Sequence, residues 1–347
     1  MPFGINSMST SDVTLFGNGN TSGGSMPVRY CVLRAFFAAS LSMLLVGCSQ
    51  PELDWPGADG IQVPANHDLH EPSWSPDGRR IAVAADTAMG RPSGELVIVN
   101  LDDESSLRLD KGCPFQEPHW SPDGTMFLYV GCDDISVTAY PDLKLVATVP
   151  GAYADWSPDG ARFVIYEYLT TAPQRPPAVY VADQYGNPMT VLFSNNRDES
   201  FAFGGLAWSR SADRITFSFG SVPRNSTAPL RRDIYVVGPD GTGLTVIGKT
   251  QADEFDPSWS PDGQWLVYIS ATEYSPVAVG TITFAKADGS CVVPALSSER
   301  LSGVDWSPNG DRLAVTYRNQ LYIIDIATMF GEAFTHLDAL CASPGSP

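Results

Sequence analysis

The sequence has few of the residues and motifs on which common enzyme classes depend. It holds only four histidines in 347 residues, with no His-Glu-x-x-His pair and no glycine loop of the kind that cradles phosphate. A Gly-x-Ser-x-Gly nucleophile elbow is also missing, which argues against a serine hydrolase. We expect His67 and His70 to be solvated loop residues. These absences favour a binding protein over a catalyst.

Basic residues are also scarce. The chain has 21 lysines and arginines against 39 aspartates and glutamates, a formal net charge of −18. A strongly acidic chain repels phosphate backbones, so the composition argues against a nucleic-acid partner. Cationic proteins, peptides or metal ions are the more natural ligands.

What the sequence does have is a repeated five-residue string, Trp-Ser-Pro-Asp-Gly. Unchanged copies begin at Trp74, Trp120, Trp156 and Trp259, a near copy ends in Asn309-Gly310 after Trp306, and a worn copy begins at Trp208. Successive tryptophans are between 36 and 52 residues apart. A period in this range is typical of propeller blades or solenoids.

The residues of the repeat predict its local structure. Ser-Pro-Asp-Gly is a turn, because proline presets φ, aspartate bonds nearby backbone and glycine accepts a left-handed exit. Short β-branched and aromatic runs follow each turn, for example Phe163–Tyr166, and these indicate strands. Four such strands per repeat and six repeats predict an all-β, six-bladed β-propeller of four-stranded antiparallel blades. Each tryptophan is then expected to be buried between neighbouring blades.

The motif, the strand order and the Asp-Gly turns resemble the WD-like propeller repeats of TolB and the N-terminal propellers of prolyl oligopeptidase relatives. The resemblance covers residues 61–340 and implies a propeller fold. It says little about function, because the repeated residues are the ones that the fold itself requires.

The chain before the repeats resembles the export signal of a bacterial lipoprotein. Residues 1–25 are expected to be disordered or to precede the true start, and residues 26–47 form a signal with Arg29 and Arg34 before an apolar stretch. It ends in Leu45-Val46-Gly47-Cys48, which resembles a lipobox and implies lipidation of Cys48. The alternative is an ordinary signal peptide with an unrelated Cys48. Residues 48–60 are then a lipidated tether.

The lipobox resemblance also implies a location. Serine at position 49 is similar to the sorting signal that sends a lipoprotein to the outer membrane, if the cell is Gram-negative. We therefore expect a monomer held by its lipid anchor in the cell envelope, at the outer membrane and facing the periplasm. Residues 61–64 are expected to complete the last blade, although residues 334–337 compete for that place, and residues 341–347 form a C-terminal tail.

The remaining cysteines suggest disulfides, because an exported chain with an even number of cysteines favours them. Apart from Cys31 in the leader and Cys48, four remain, and their three possible pairings stay open. The preferred pairs are Cys113–Cys132 and Cys291–Cys341; buried free thiols are the alternative.

Acidic residues recur just before the repeated tryptophans. They are Glu71, Glu117 and Asp256, three positions before, and Asp155 and Asp305, one position before; His119 occupies the latter position in the second repeat. Because the tryptophan strand should be innermost, we expect these five carboxylates, here called the acidic ring, to gather around the central channel. The hypothesis is that the ring binds a metal such as Ca²⁺ or a basic group of a partner. The alternative is a hydrated acidic channel without a ligand.

Two insertions, residues 169–177 and 221–232, join the second and third strands of blades three and four and are candidate recognition loops. The sequence as a whole favours a protein-binding or scaffold module of the envelope without catalysis. The alternative is a propeller-type enzyme, such as a lyase, lactonase or cyclase, with a metal or carboxylate site at the channel mouth.

Overall fold

Six four-stranded antiparallel sheets account for the strands in the described part of the chain, in a computed structural model. It describes residues 58–61, 67–87, 94–110, 115–131, 134–167, 177–195, 199–248, 250–272, 279–330 and 336–341. The prediction of a six-bladed β-propeller is confirmed. The signal and lipidation predictions, including Cys48, and the proposed Cys113–Cys132 pair lie outside the described residues.

Five blades are built from four consecutive strands each, and the sixth takes one strand from the beginning of the chain. Blade 1 is β2 (His67–Trp74), β3 (Arg80–Thr87), β4 (Gly94–Asn100) and β5 (Ser106–Asp110). Blade 2 is β6 (Phe115–Trp120), β7 (Met126–Gly131), β8 (Asp134–Ala139) and β9 (Lys144–Pro150). Blade 3 is β10 (Tyr153–Trp156), β11 (Arg162–Glu167), β12 (Ala178–Asp183) and β13 (Pro188–Ser194).

The second half of the ring follows the same order. Blade 4 is β14 (Glu199–Trp208), β15 (Ile215–Pro223), β16 (Asp233–Val237) and β17 (Thr245–Ile247). Blade 5 is β18 (Asp253–Trp259), β19 (Trp265–Ala271), β20 (Val279–Lys286) and β21 (Val292–Glu299). Blade 6 is β22 (Leu301–Trp306), β23 (Arg312–Tyr317), β24 (Gln320–Asp325) and β1 (Ala58–Ile61). Two short helices, α1 (Ile326–Phe330) and α2 (Leu337–Cys341), follow.

The N-terminal strand closes the ring. β1 pairs antiparallel with β24, from Ala58 opposite Ile324 to Ile61 opposite Leu321. The closing segment therefore lies earlier than the expected residues 61–64. The competing C-terminal segment does not pair as a strand in its described part, because Leu337 begins α2.

Two predicted loops differ from the observed elements, and one predicted disulfide is present. His67 and His70 were expected in a loop, but both lie in β2. The expected insertion at residues 221–232 begins later, because β15 continues to Pro223. The Cys291–Cys341 disulfide is present and ties α2 to the chain just before β21. In the described part of the chain, neither helix is long and apolar enough to cross a bilayer.

The serine of each repeat holds its turn together. Ser75 Oγ donates to Asp77 Oδ1 at 2.6 Å and accepts the Arg80 backbone N–H at 2.9 Å. The Gly78 N–H donates to the Ser75 carbonyl, and Gly78 has a φ of +69°. Ser121, Ser157 and Ser260 make the same bonds to the corresponding aspartates. The Asp-Gly turn prediction is thus explained atom by atom, since a left-handed φ favours glycine.

Each repeated tryptophan packs against the blade that precedes its own. Trp120 of blade 2, with 1% of its surface exposed, lies in a cluster with Ala82, Leu96 and Ile98 of blade 1. Trp259 of blade 5 packs likewise with Ile234 of blade 4. All six are buried, which confirms their predicted role as apolar plates between blades.

The turns also contact one another around the ring. A Cβ placed on Gly124 would lie 3.6 Å from Pro76 Cδ, so the turn proline of blade 1 rests on the turn glycine of blade 2. The same relation joins Pro122 to Gly160, Pro261 to Gly310 and Pro308 to Gly78. The repeat therefore forms the turn within one blade and the contact between two.

Candidate functional site

Four of the six inner strands carry a β-bulge three residues before the tryptophan. Glu71, Glu117 and Asp256 have φ angles of +52°, +49° and +55°, and Gly205 has +101°. At each of these points the pairing with the neighbouring strand shifts register. A left-handed backbone costs a residue other than glycine about 1–2 kcal/mol, and bulges commonly re-aim a side chain. Here the bulge places three carboxylates near the axis of the ring.

Four of the five carboxylates of the acidic ring accept hydrogen bonds from backbone N–H groups of the next blade. The four hydrogen bonds, each 2.7 Å long, run from Glu117 N to Glu71 Oε2, from Trp208 N to Asp155 Oδ2, from Val304 N to Asp256 Oδ2 and from Trp74 N to Asp305 Oδ2. They join blade 1 to 2, 3 to 4, 5 to 6, and 6 to 1. The acidic ring thus has a structural role that the sequence pattern did not indicate.

The second oxygens of two ring carboxylates are also engaged. Asp305 Oδ1 accepts the Ser258 hydroxyl at 2.6 Å, and that hydroxyl accepts the Trp306 N–H at 3.1 Å. Asp155 Oδ1 accepts the Trp156 N–H at 2.7 Å. Among the residues that the structure describes, no three His, Cys, Asp or Glu side chains are arranged to hold a metal ion. The geometry therefore gives the Ca²⁺ hypothesis no support.

His119 lies between two carboxylates of the ring. Its Nε2 is 3.3 Å from Glu117 Oε2, and its Nδ1 is 3.5 Å from Asp155 Oδ1. Burial lowers the pKa of His119, but the charges of Asp155 and Glu117 outweigh it and raise the pKa to about 9. The imidazole is therefore cationic at neutral pH and neutralises part of the acidic ring.

Protons neutralise a further part of the ring. Burial, together with the charge of Glu71, raises the pKa of Glu117 to about 7. Burial and the charges of Glu117 and Glu71 raise the pKa of Asp256 well above its usual range, and burial raises that of Asp305. The ring is thus a set of coupled groups whose charge at neutral pH is smaller than its count of carboxylates.

A cavity of about 270 Å³ opens beside these groups, lined by inner-strand residues of all six blades. Its polar lining includes Glu117, His119, Asp155, Asp256 and Asp305. At the mouth the lining consists of the Trp-Ser-Pro turns of blades 1, 5 and 6, whose prolines, Pro76, Pro261 and Pro308, we call the turn collar. A rigid collar around an acidic interior can accept one cationic side chain of a partner.

Arg210 also lines the cavity, and it lies in the turn whose sequence departs from the repeat. It replaces the proline of the motif in the worn copy, Trp208-Ser209-Arg210. Its side chain is exposed, lines the cavity and donates from Nη2 to the Trp120 carbonyl of blade 2 at 3.3 Å. Arg210 is not among the predicted site residues, although its departure from the proline of the five other turns is visible in the sequence.

The second predicted recognition loop is partly structural. Arg232, at the end of the 221–232 insertion, is buried, and its Nε donates to Asp253 Oδ1 of blade 5 at 3.0 Å. Its guanidinium also lies over the Phe255 ring, 4.8 Å from the centroid. Residues 168–176, which hold most of the first insertion, lie outside the described residues.

Solved structures with the same fold support the architecture. A structure described as a putative TolB from Agrobacterium tumefaciens has a TM-score of 0.54 and 18% identity, over 78% of this chain and 97% of that one. TolB from Acinetobacter baumannii has a TM-score of 0.51 and 21% identity, over 67% of this chain and 55% of that one. An oligogalacturonate lyase from Vibrio parahaemolyticus has a TM-score of 0.50 and 13% identity, over 87% and 98%.

These likenesses identify a TolB-like β-propeller fold and carry no activity with them, because propellers host many functions. No protein-family model and no curated protein sequence matches the chain.

Proposed function

We propose that this protein is a lipid-anchored β-propeller of the cell envelope that binds a segment of a partner protein or peptide at the turn collar. The observation that carries the proposal is the cavity of about 270 Å³, open between the collar prolines and acidic inside. Hydrogen-bonded turns with buried serines, and the contacts between neighbouring blades, hold this mouth in shape before a partner arrives. Such preorganisation lowers the ordering cost of binding.

Charge indicates the chemistry of the partner. The chain carries a net charge of −18, and the cavity lining includes four carboxylates of the acidic ring. His119 and bound protons neutralise part of this charge, and a lysine, arginine or amino terminus entering the cavity would meet the part that remains. Association with a basic partner would also be accelerated at low salt by the net charge of the whole chain.

The lipid anchor in this proposal is supported by the sequence and not by the cavity. It is supported by the apolar signal and by Leu45-Val46-Gly47-Cys48 in the sequence. Two or more acyl chains would hold the protein stably at a membrane surface. The partner would then be another envelope component within reach of a membrane-bound disc.

The test is a pull-down from detergent-solubilised envelope membranes with two matched variants. Pro261→Lys places a cation in the turn collar. Pro122→Lys makes the same change at the same turn position of blade 2, whose proline is not among the cavity-lining residues. We expect wild-type protein and the Pro122 variant to retain one stoichiometric partner, and the Pro261 variant to lose it. Equal recovery by both variants would place binding away from the mouth.

One observation favours a second function, acid–base catalysis on a small ligand. Glu117 has a pKa raised to about 7 and is 3.3 Å from a cationic His119, a combination suited to proton transfer near neutral pH. The lyase of similar fold is compatible with it. Recovery of a bound sugar or of turnover that is lost in Glu117→Gln, with no protein partner, would favour the enzyme.

A further inference from the structure

Arg210 gives the mouth of the cavity a charge opposite to that of its interior. Of the described residues that line the cavity, it is the only arginine or lysine. It belongs to blade 4, yet it reaches past blade 3 to the Trp120 carbonyl of blade 2. The side chain therefore extends along the rim, where a proline of the turn collar stands in blades 1, 5 and 6.

The guanidinium keeps most of its binding capacity. It has five N–H donors, and Nη2 uses one of them for the bond to Trp120. No carboxylate of the described residues lies within ion-pair distance of Arg210, in contrast to Arg80 and Asp77, whose charged atoms are 2.8 Å apart. An arginine with free donors at an exposed rim is suited to a planar, bidentate carboxylate ligand.

The interior offers the complementary charge. Asp155, Asp256 and Asp305 line the cavity. His119, which lies beside Glu117 and Asp155, and the protons on Glu117 and Asp256 reduce this negative charge. No lysine or arginine of the described residues is paired with any of the five carboxylates, so the remaining charge is not cancelled by a salt bridge to such a residue. A ligand that carries a carboxylate beside a flexible cationic side chain could pair with Arg210 at the rim and with the cavity carboxylates at the same time. A cavity of about 270 Å³ is small compared with the roughly 300–1,000 Å³ of drug-sized ligand sites, so it suits one side chain.

Resting on the proposed function, we infer that the mouth recognises the carboxyl-terminal residue of a partner when that residue is lysine or arginine. The terminal carboxylate pairs with Arg210, and the basic side chain enters the cavity toward Asp155 and Asp305. The rest of the partner leaves through the open side of the turn collar. Arg210 thereby selects a chain end over an internal basic residue, which lacks the terminal carboxylate.

The test measures binding of three peptides to the full-length protein by titration calorimetry. They are N-acetyl-Gly-Gly-Lys with a free carboxylate, the same peptide as its carboxamide, and N-acetyl-Gly-Gly-Ala with a free carboxylate. We expect the lysine acid to bind wild-type protein at least about tenfold more tightly than the amide, because a charge-assisted pair contributes about 1.5–3 kcal/mol. The alanine acid should bind more weakly than the lysine acid.

Arg210→Gln removes the charge and should reduce the acid-to-amide ratio to about one. Arg224→Gln, at an exposed arginine of the same blade that is not among the cavity-lining residues, should leave the ratio unchanged. Equal affinities of acid and amide for wild-type protein would overturn the inference. So would tighter binding of both peptides to Arg210→Gln, since Arg210 would then obstruct the mouth.

The two proposals fail in distinguishable ways. If acid and amide bind equally and Pro261→Lys abolishes both, binding at the turn collar stands and only carboxylate recognition is lost. If the Pro261 variant loses its protein partner in the pull-down but no peptide binds wild-type protein, terminal recognition is overturned. If the pull-down itself shows no dependence on Pro261, the proposed function fails.

Discussion

Asp305 in the last inner strand accepts the backbone N–H of Trp74 in the first, at 2.7 Å. This hydrogen bond closes the ring at its axis, while the pairing of β1 with β24 closes it at the outer edge. The same carboxylate accepts the Ser258 hydroxyl of blade 5 at 2.6 Å. One side chain therefore connects three blades at the point where the ring closes.

Replacing Asp305 should weaken this closure. We expect Asp305→Ala to lower the free energy of unfolding by about 1–3 kcal/mol, because the Trp74 N–H and the Ser258 hydroxyl lose their acceptor. Asp325→Ala, at an exposed aspartate of the same blade, is the control and should change stability by less than about 0.5 kcal/mol. Urea denaturation of both variants decides; equal midpoints would show that the inner closure adds nothing.

The fold could be predicted because six copies of the repeat each carry short-range signals for a turn and its flanking strands. Turn chemistry and strand patterns act within about ten residues, so Trp74-Ser75-Pro76-Asp77-Gly78 already defines a hairpin end. Burial of the tryptophans follows from their size and spacing. The sequence favoured an N-terminal over a C-terminal strand as the one that closes the ring. The pairing of β1 with β24 shows that the N-terminal strand closes it.

The site was less predictable because its contacts join residues far apart in the chain. The period placed Glu71 and Glu117 in equivalent positions, but nothing local indicates that one accepts the backbone N–H of the other. The bulges that turn these residues to a left-handed φ also depend on pairing with the next strand. Arg210 departs from the pattern, but its hydrogen bond to Trp120 of blade 2 joins residues 90 positions apart, which no local pattern indicates.

Alanine substitutions at two turn glycines can distinguish the free-energy cost of a left-handed backbone from the cost of steric crowding. Gly243 and Gly263 both have a φ of +68°, but a Cβ on Gly243 meets nothing within 4 Å, whereas one on Gly263 lies 2.5 Å from Ala212 Cβ. We expect Gly243→Ala to cost about 1–2 kcal/mol from backbone strain alone. Gly263→Ala should cost at least about 1 kcal/mol more, because it overpacks the contact between blades 4 and 5.

Thermal denaturation of the two alanine variants checks this difference. Gly124→Ala provides an intermediate case, since its φ is +70° and its nearest neighbour, Pro76 Cδ, is at an ordinary 3.6 Å. It should resemble Gly243→Ala. If Gly263→Ala were no more destabilising than the other two variants, Ala212 would have to move at little cost to accommodate the added methyl group.

Cys48→Ala tests the proposed anchor. We expect wild-type protein to fractionate with membranes and the variant to appear in the soluble fraction, because lipid chains rather than the propeller supply the membrane affinity. Mass spectrometry of the mature wild-type amino terminus should show acylation at Cys48. Cys31→Ala, which changes a cysteine of the proposed signal, should leave fractionation unchanged. Membrane retention of the Cys48 variant would contradict the lipoprotein proposal.

A buried carboxylate away from the cavity makes stability depend on pH. Glu254 in β18 is fully buried; its Oε1 accepts the Thr250 hydroxyl at 2.9 Å. Burial, with the charges of Asp233 and Asp253, raises its pKa to about 8. The unfolded chain loses this proton near pH 4.5, while the folded protein holds it to about pH 8. The unfolded state therefore binds fewer protons in this window, and stability falls as the pH rises.

Glu254→Gln should flatten that fall, because glutamine keeps an acceptor for Thr250 and does not ionise. Between pH 4.5 and 7 we expect the wild-type free energy of unfolding to decline by about 3 kcal/mol more than that of the variant. Glu299→Gln, at an exposed glutamate of blade 5, should follow the wild-type profile. Urea denaturation at intervals of pH gives the comparison. Parallel profiles for wild type and Glu254→Gln would mean that Glu254 is ionised in the folded protein and that a cation compensates its charge. Profiles that converge at low pH and separate above pH 5 would establish Glu254 as a buried, protonated acid.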